Sequence, residues 1–306
     1  MRTEFIIARI QISVKTSYEL IVNGGYSLYR LNSKKANVKM LNESYEILMV
    51  EDSVFPRMEG RVLYQDELNL YILTKKGETL HYFRIPLTRS AAAWCETTGK
   101  QSLTIHYRQE AKEYFEKACG CFNAAAFENI LYIYRKFLFH CSYVDVGGEA
   151  VLFSAHSGGG KTTHALLWEQ CGLGEMINGD RAVIEKLDEH QIENSEKRDI
   201  SCRYRYMVHG LPIAGSSKVF KNRSLPLRAI FMLEKASINE VVDLSIAKSF
   251  LQVVEQITIH MWDREFVDVA TAFVTELVQN VPVKLLRCRP DEGAVYAVRE
   301  ALNAFK

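Results

Sequence analysis

Short runs of β-branched and aromatic residues set the pattern of the first third of the chain. Residues 45–50, 61–64, 68–73, 79–85 and 102–107 each read as a strand. Turn signals such as Asp66-Glu67 and Lys75-Lys76-Gly77 separate them. The spacing predicts an antiparallel sheet, with 91–95 and 111–117 as short helical turns. No internal repeat or low-complexity segment interrupts it.

From residue 125 the period changes. Phe127, Ile130, Leu131, Tyr134 and Leu138 fall on one face at helical spacing, which predicts a helix over 125–139. Strands follow at 143–146 and 150–154, joined by Gly147-Gly148, a pair suited to the positive φ angles of a two-residue hairpin. A helix is expected over 162–170, a strand or strand pair over 175–186, and a Gly/Pro loop over 210–215. Beyond these come a strand at 227–233, helices at 245–261 and 266–279, a strand at 281–286 and a terminal helix at 291–304. Pro290, Asp291 and Glu292 mark the start of that last helix. The pattern predicts an α/β fold in two parts: a smaller strand-rich α+β domain over 1–124, and a mixed sheet with helices over 125–306.

Composition narrows this only modestly. The chain has 306 residues, 48% hydrophobic and 25% charged, as expected of a globular protein with a sizeable core. Its formal net charge of +1 gives no bulk attraction to nucleic acid or an anionic membrane. A local basic patch around Lys218, Lys221, Arg223 and Arg228 is the exception. No apolar run is long enough for a membrane span, and the N-terminus lacks the form of a secretory signal. The seven cysteines include one close pair, Cys119 and Cys121, with no second pair or histidines at zinc spacing. They read as reduced thiols of a cytoplasmic protein.

The strongest chemical signal is Ser157-Gly158-Gly159-Gly160-Lys161-Thr162-Thr163. Small residues let successive backbone N–H groups converge on phosphate oxygens. A lysine reaches the terminal phosphates, and the next hydroxyl binds magnesium. The loop lies between a predicted strand and a predicted helix, so a bound anion also meets the helix N-terminus. Ala155 stands where the usual pattern has glycine, six residues before the lysine. These residues predict binding of ATP with Mg²⁺.

Around this loop the chain resembles the kinase superfamily acting on the histidine-containing phosphocarrier protein HPr, which shares its nucleotide-binding core with ATP-dependent phosphoenolpyruvate carboxykinases. The resemblance begins at His140 and runs to the C-terminus. It rests on the strand-turn-strand from His140 to Ser154, the loop, and Asn178-Gly179-Asp180-Arg181. Gly210-Leu211-Pro212-Ile213-Ala214-Gly215 and the segments 226–233 and 281–295 are similar to the branch containing lasso-peptide kinases.

This resemblance implies transfer of the γ-phosphoryl group to a Ser/Thr hydroxyl of a peptide or small protein. It implies Asp180, His140 and Lys161 as the catalytic set, with Thr162 and Asp180 holding the metal. His209, Gly210, Gly215 and Arg181 are expected at the acceptor cleft. The superfamily's acidic motif has two adjacent carboxylates, whereas here the first position is Gly179; Asp145 and Glu185 are candidates for a second acid. His156 reads as solvent-facing, Ser216, Ser217 and Lys218 as neighbours of the acceptor pocket, and the charged run 185–198 as a solvated hairpin or loop. The first domain does not look like that of HPr kinases, so HPr is not implied as substrate. A small-molecule hydroxyl kinase acting on an amino acid or sugar and a catalytically degenerate nucleotide-binding scaffold stay open, as does a homo-oligomer.

Overall fold

The structure is a computed structural model describing residues 1–31, 43–85, 90–188 and 205–305. The chain divides into two compact units, Met1–Tyr134 and Arg135–Lys306. Each is α/β, built on a mixed sheet. Among the described residues no helix is long and apolar enough to cross a membrane, which says nothing of β-barrels.

In the first unit the strands are β1 (Arg2–Ile7), β2 (Ile10–Lys15), β3 (Ser44–Glu51), β4 (Arg61–Gln65), β5 (Asn69–Leu73), β6 (Thr79–Arg84), β7 (Ala91–Gly99) and β8 (Ser102–Tyr107). They lie in the order β1-β2-β3-β8-β7-β6-β5-β4. Most pairs are antiparallel, as the alternation predicts, but β3 runs parallel to both β2 and β8. The all-antiparallel expectation is therefore corrected. Turn signals identify tight hairpins, whereas a parallel pairing is made through a longer connection with no local mark.

The expected helical turn at 91–95 is part of strand β7. Its alanines favour a helix locally, but β6 and β8 flank it on both sides. Small side chains also let a helix approach its face: Cys95 Sγ donates to the Ala124 carbonyl at 3.0 Å. The helices of this unit are α1 (Lys112–Phe115), α2 (Ala118–Ala124) and α3 (Phe127–Ile133). The helix predicted over 125–139 stops in α3, which lies in the first unit. Ala126 and Arg135 take left-handed φ angles of 49° and 56° on either side of α3. The apolar run beyond becomes β9 (Lys136–His140), fully buried at Phe139. A short run buried on both faces has no periodicity that separates helix from strand.

The second unit continues with β10 (Ser142–Val146), β11 (Glu149–Ser154), α4 (Lys161–Gln170), β12 (Glu175–Asn178), β13 (Arg181–Lys186), β14 (Tyr206–His209) and β15 (Ser224–Lys235). It closes with β16 (Glu240–Asp243), α5 (Ile246–Val254), α6 (Arg264–Asn280), β17 (Val283–Cys288) and α7 (Glu292–Ala304). The sheet order is β12-β10-β11-β15-β14-β13-β9, with β17 pairing β15 and β16. Gly147 and Gly148 turn the β10–β11 hairpin at φ 66° and 90°, as their sequence predicts. The helix predicted over 245–261 ends at Val254, and residues 256–258 instead run along the edge of β9. Of the charged run 185–198, residues beyond 188 lie outside the described residues.

The parallel set β11, β15 and β17 brings its carboxyl ends to one side, where open α/β sheets hold their ligands. Beneath it, Val144, Phe153, Phe231 and Trp168 of α4 pack with Val295 and Val298 of α7. His164 belongs to this layer at 3% exposure, and its Nε2 accepts the Trp168 indole N–H at 3.2 Å. Burial holds its pKa down at about 4, below the ordinary 6.5. The folded state therefore excludes a proton that the unfolded chain accepts. Stability is full above about pH 6.5 and falls as the pH drops towards 4, by on the order of 3 kcal/mol from this one group. Urea midpoints measured across that window in wild type and His164→Leu check this: the variant's curve should be the flatter, and equal slopes would refute the assignment.

Candidate functional site

The site gathers at the end of β11. Ser154 closes the strand and its hydroxyl donates to the His140 carbonyl at 2.7 Å, tying β11 to the end of β9. The loop then rises to α4. Gly158 and Gly160 hold φ 75° and 93°, and a Cβ added to either would meet nothing within 4 Å. They are glycine for backbone reasons, with open space in front of them. Gly159 is different: a Cβ there would lie 2.5 Å from the Ala155 Cβ and 2.9 Å from the His156 carbonyl oxygen. Ala155 is absent from the positive-φ residues, so its methyl group is compatible with the turn, and it is Gly159 that accommodates it.

Lys161 opens α4 and is 8% exposed. Its ammonium donates to the Ala155 carbonyl at 2.8 Å and to the His156 carbonyl at 3.5 Å. Burial pulls its pKa down, opposed by Cys141 and Asp180. Thr162 Oγ1 donates to the Gly179 carbonyl at 3.1 Å, linking the first turn of α4 to the acidic segment. Ser157 and Thr163 are exposed. His156 is solvent-facing, with Nε2 3.9 Å from Glu255 Oε2.

Asp180 sits between β12 and β13, and Asn178 shapes that corner. Its buried amide oxygen accepts the backbone N–H of Asp180 at 2.9 Å and of Arg181 at 3.0 Å. Its amide nitrogen donates to the carbonyls of Leu211 at 3.2 Å and Ile213 at 2.7 Å. One side chain thus fastens the 210–215 loop to the acidic segment. Asp180 Oδ2 receives Arg181 Nε at 3.2 Å, and Oδ1 lies 3.9 Å from His140 Nε2. Register explains the second approach, because His140 and Arg181 face each other across the β9–β13 pair. Burial lowers the His140 pKa first and Lys161 lowers it further, with Asp180 opposing. The ring therefore favours its neutral form, with one donor and one acceptor nitrogen.

Gly215 and Gly179 are both contact glycines. A Cβ on Gly215, at φ 51°, would stand 2.8 Å from Asp180 Cγ. A Cβ on Gly179 would run into the Ser217 side chain. The position before Asp180 therefore has no room for a carboxylate while Ser217 holds its place, its hydroxyl donating to the Ala214 carbonyl at 2.6 Å.

The proposed second acids lie elsewhere. Asp145 is at the hairpin end of β10, accepting the Gly148 N–H at 2.8 Å and pairing with Arg223 at 2.9 Å. Glu185 is four residues along β13 from Arg181, about 13 Å at strand rise. It is buried between Lys136 Nζ at 3.2 Å and His209 Nε2 at 2.8 Å. His209 belongs to that buried cluster: it is 1% exposed, and its Nδ1 is 2.8 Å from Ser224 Oγ. Gly210 is buried too, its N–H donating to the Arg223 carbonyl at 2.9 Å. Gly215 and Arg181 do meet Asp180.

Two contributors escaped the sequence pattern. Asn178 was legible only as part of a motif, not as the clamp of two segments. Glu255 approaches the loop through His156 from a stretch that reads as the middle of a helix. The β-branched run Ile257-Thr258-Ile259 is the one local sign that the helix ends earlier.

No family model matches the chain, and no curated protein matches it. Among solved structures it is similar to the Hpr(Ser) kinase/phosphatase from Coxiella burnetii, at 12% identity and a TM-score of 0.28, over 54% of this chain and 95% of that one. A likeness of that degree carries no weight for the function.

Proposed function

We propose that the second unit is an ATP- and magnesium-dependent kinase that transfers the γ-phosphoryl group to a Ser/Thr hydroxyl of a peptide or small protein. The observation that supports this most directly is the convergence of three parts: an open glycine loop at the N-terminus of α4, the Lys161 ammonium inside it, and Asp180 with His140 alongside. Phosphoryl transfer asks a protein for charge neutralisation, in-line positioning and a destination for one proton. Each has a candidate here.

The residues fit a magnesium nucleotide. The space before Gly158 and Gly160 leaves the loop N–H groups accessible to phosphate oxygens. Thr162 and Asp180 would hold the metal, which when bound neutralises phosphate charge and orients the transferring group. Lys161 exchanges its bonds to the loop carbonyls for the β,γ-phosphates. The acceptor oxygen bonds to the γ-phosphorus as the bond to the bridging β,γ-oxygen breaks, and the hydroxyl proton passes to Asp180. The neutral His140 ring hydrogen-bonds the acceptor oxygen or Asp180. A second reading, a nucleotide-binding scaffold, draws on the absence of room for a carboxylate at Gly179.

Incubation with γ-labelled ATP and magnesium separates the readings. Label appearing on Ser/Thr peptides supports the proposal. Label appearing only on free amino acids or sugars reassigns the acceptor, and ATP binding without transfer to any acceptor leaves the scaffold.

A further inference from the structure

The segment 210–221 leaves β14 and returns along the outer edge of β12. Backbone bonds hold its two ends. Gly210 N–H donates to the Arg223 carbonyl and Lys221 N–H to the Ile177 carbonyl, both at 2.9 Å, and Phe220 bridges Asn178 in antiparallel fashion. Its middle meets the acidic segment at three successive residues. The Asn178 amide donates to the Leu211 and Ile213 carbonyls, the Ser217 side chain fills the space at Gly179, and Gly215 abuts the Asp180 carboxylate. The last two contacts are packing, whereas the first is a pair of directional bonds.

Asn178 is fully buried, and its amide is saturated. The oxygen accepts the N–H groups of Asp180 and Arg181, and the nitrogen donates to carbonyls 33 and 35 residues away. A flipped amide would turn its oxygen on those carbonyls, so the four partners fix its orientation. The corner's own carbonyls go elsewhere. Gly179's accepts Ser142 Oγ at 3.3 Å and Thr162 Oγ1 at 3.1 Å, and Asp180's accepts the Cys141 N–H at 3.0 Å. From this arrangement we infer that Asn178 is the positioning residue of the acidic corner, locking the Asp180 backbone and the 211–217 loop into one unit. A shift of the loop on the acceptor side is then a shift of Asp180. The functional meaning rests on the kinase reading above, in which Asp180 holds the metal and takes the acceptor's proton. Outer partners that orient a metal ligand weigh about 10–100-fold in metal affinity or activity.

Two variants of the full chain take the lock apart. Asn178→Ala removes both halves. Asn178→Asp keeps an oxygen for the two N–H groups but cannot donate to both carbonyls. The backbone of residue 178 stays paired with Tyr143 and Phe220 in either case. Amide hydrogen exchange without nucleotide is the first measurement. In Asn178→Ala, exchange at 180 and 181 should rise on the order of tenfold, the worth of one net hydrogen bond. Exchange across 211–217 should rise with it, whereas in Asn178→Asp only the loop should be released. The second measurement is ATP affinity with and without magnesium. The gain on adding magnesium should shrink about tenfold in Asn178→Ala at unchanged metal-free affinity, and Asn178→Asp should recover part of it. General loss of structure would weaken both affinities together. Unchanged exchange at 180–181 in folded Asn178→Ala overturns the inference, and so does a loop unaltered in both variants. If Asn178→Ala does not fold, loop exchange in Asn178→Asp decides by itself. If wild type binds no magnesium nucleotide, the kinase reading falls alone, and the exchange data still decide whether Asn178 locks the corner.

Discussion

Lys161→Ala is expected to lose at least 10²–10³-fold in phosphoryl transfer, on the order of a removed transition-state charge contact. Lys161 is the one ammonium of the described residues that lies within the glycine loop, and its present partners are the loop's own carbonyls. Those bonds are replaceable, because the ammonium is a point charge on a flexible stem. Alanine takes away the charge and leaves the Ala155 carbonyl without this donor. The fold should tolerate that, since the loop keeps its Gly159 N–H to His156 carbonyl bond of 2.9 Å and α4 keeps its first helical bond, His164 N–H to the Gly160 carbonyl at 2.8 Å. Circular dichroism should therefore be unchanged while transfer of labelled phosphate disappears. Wild-type turnover in a folded Lys161→Ala protein would defeat the kinase assignment.

Asp180→Asn should be nearly as damaging for a different reason. Asparagine matches the carboxylate in size, which matters because Gly215 leaves no spare room beside Asp180. The substitution removes only the negative charge and with it the proton acceptor. Losing a positioned base costs about 10²–10⁴-fold. Nucleotide binding measured without magnesium should persist, while the gain in affinity on adding magnesium should shrink. Full activity in the Asn variant would mean that another acid serves the reaction. Glu255 would then be the first to examine, because it pairs with His156 on the loop itself.

Much of the candidate site's local geometry was legible in the sequence because its parts are local. A Gly-rich run between a strand and a helix reports its own conformation, and the positive φ angles of Gly158 and Gly160 follow from it. The hairpin at Gly147-Gly148 is legible for the same reason. The surroundings of Asp145, Glu185 and His209 were not. Side chains at Asp145, Glu185 and His209 carry suitable chemistry, but alternation along a strand does not say which end of the strand meets the loop. Register does, and it places Glu185 opposite Lys136 and His140 opposite Arg181.

The sequence by itself determined the glycine-rich strand–loop–helix turn, the α/β character and most strand positions, all of which depend on contacts within a few residues. Tertiary structure decided the rest. It joined Asn178 to a loop more than thirty residues away, filled the space at Gly179 with Ser217, and turned the end of a predicted helix into a border for β9. These outcomes depend on which distant segments pack together, and packing is set by the whole fold rather than by any local pattern.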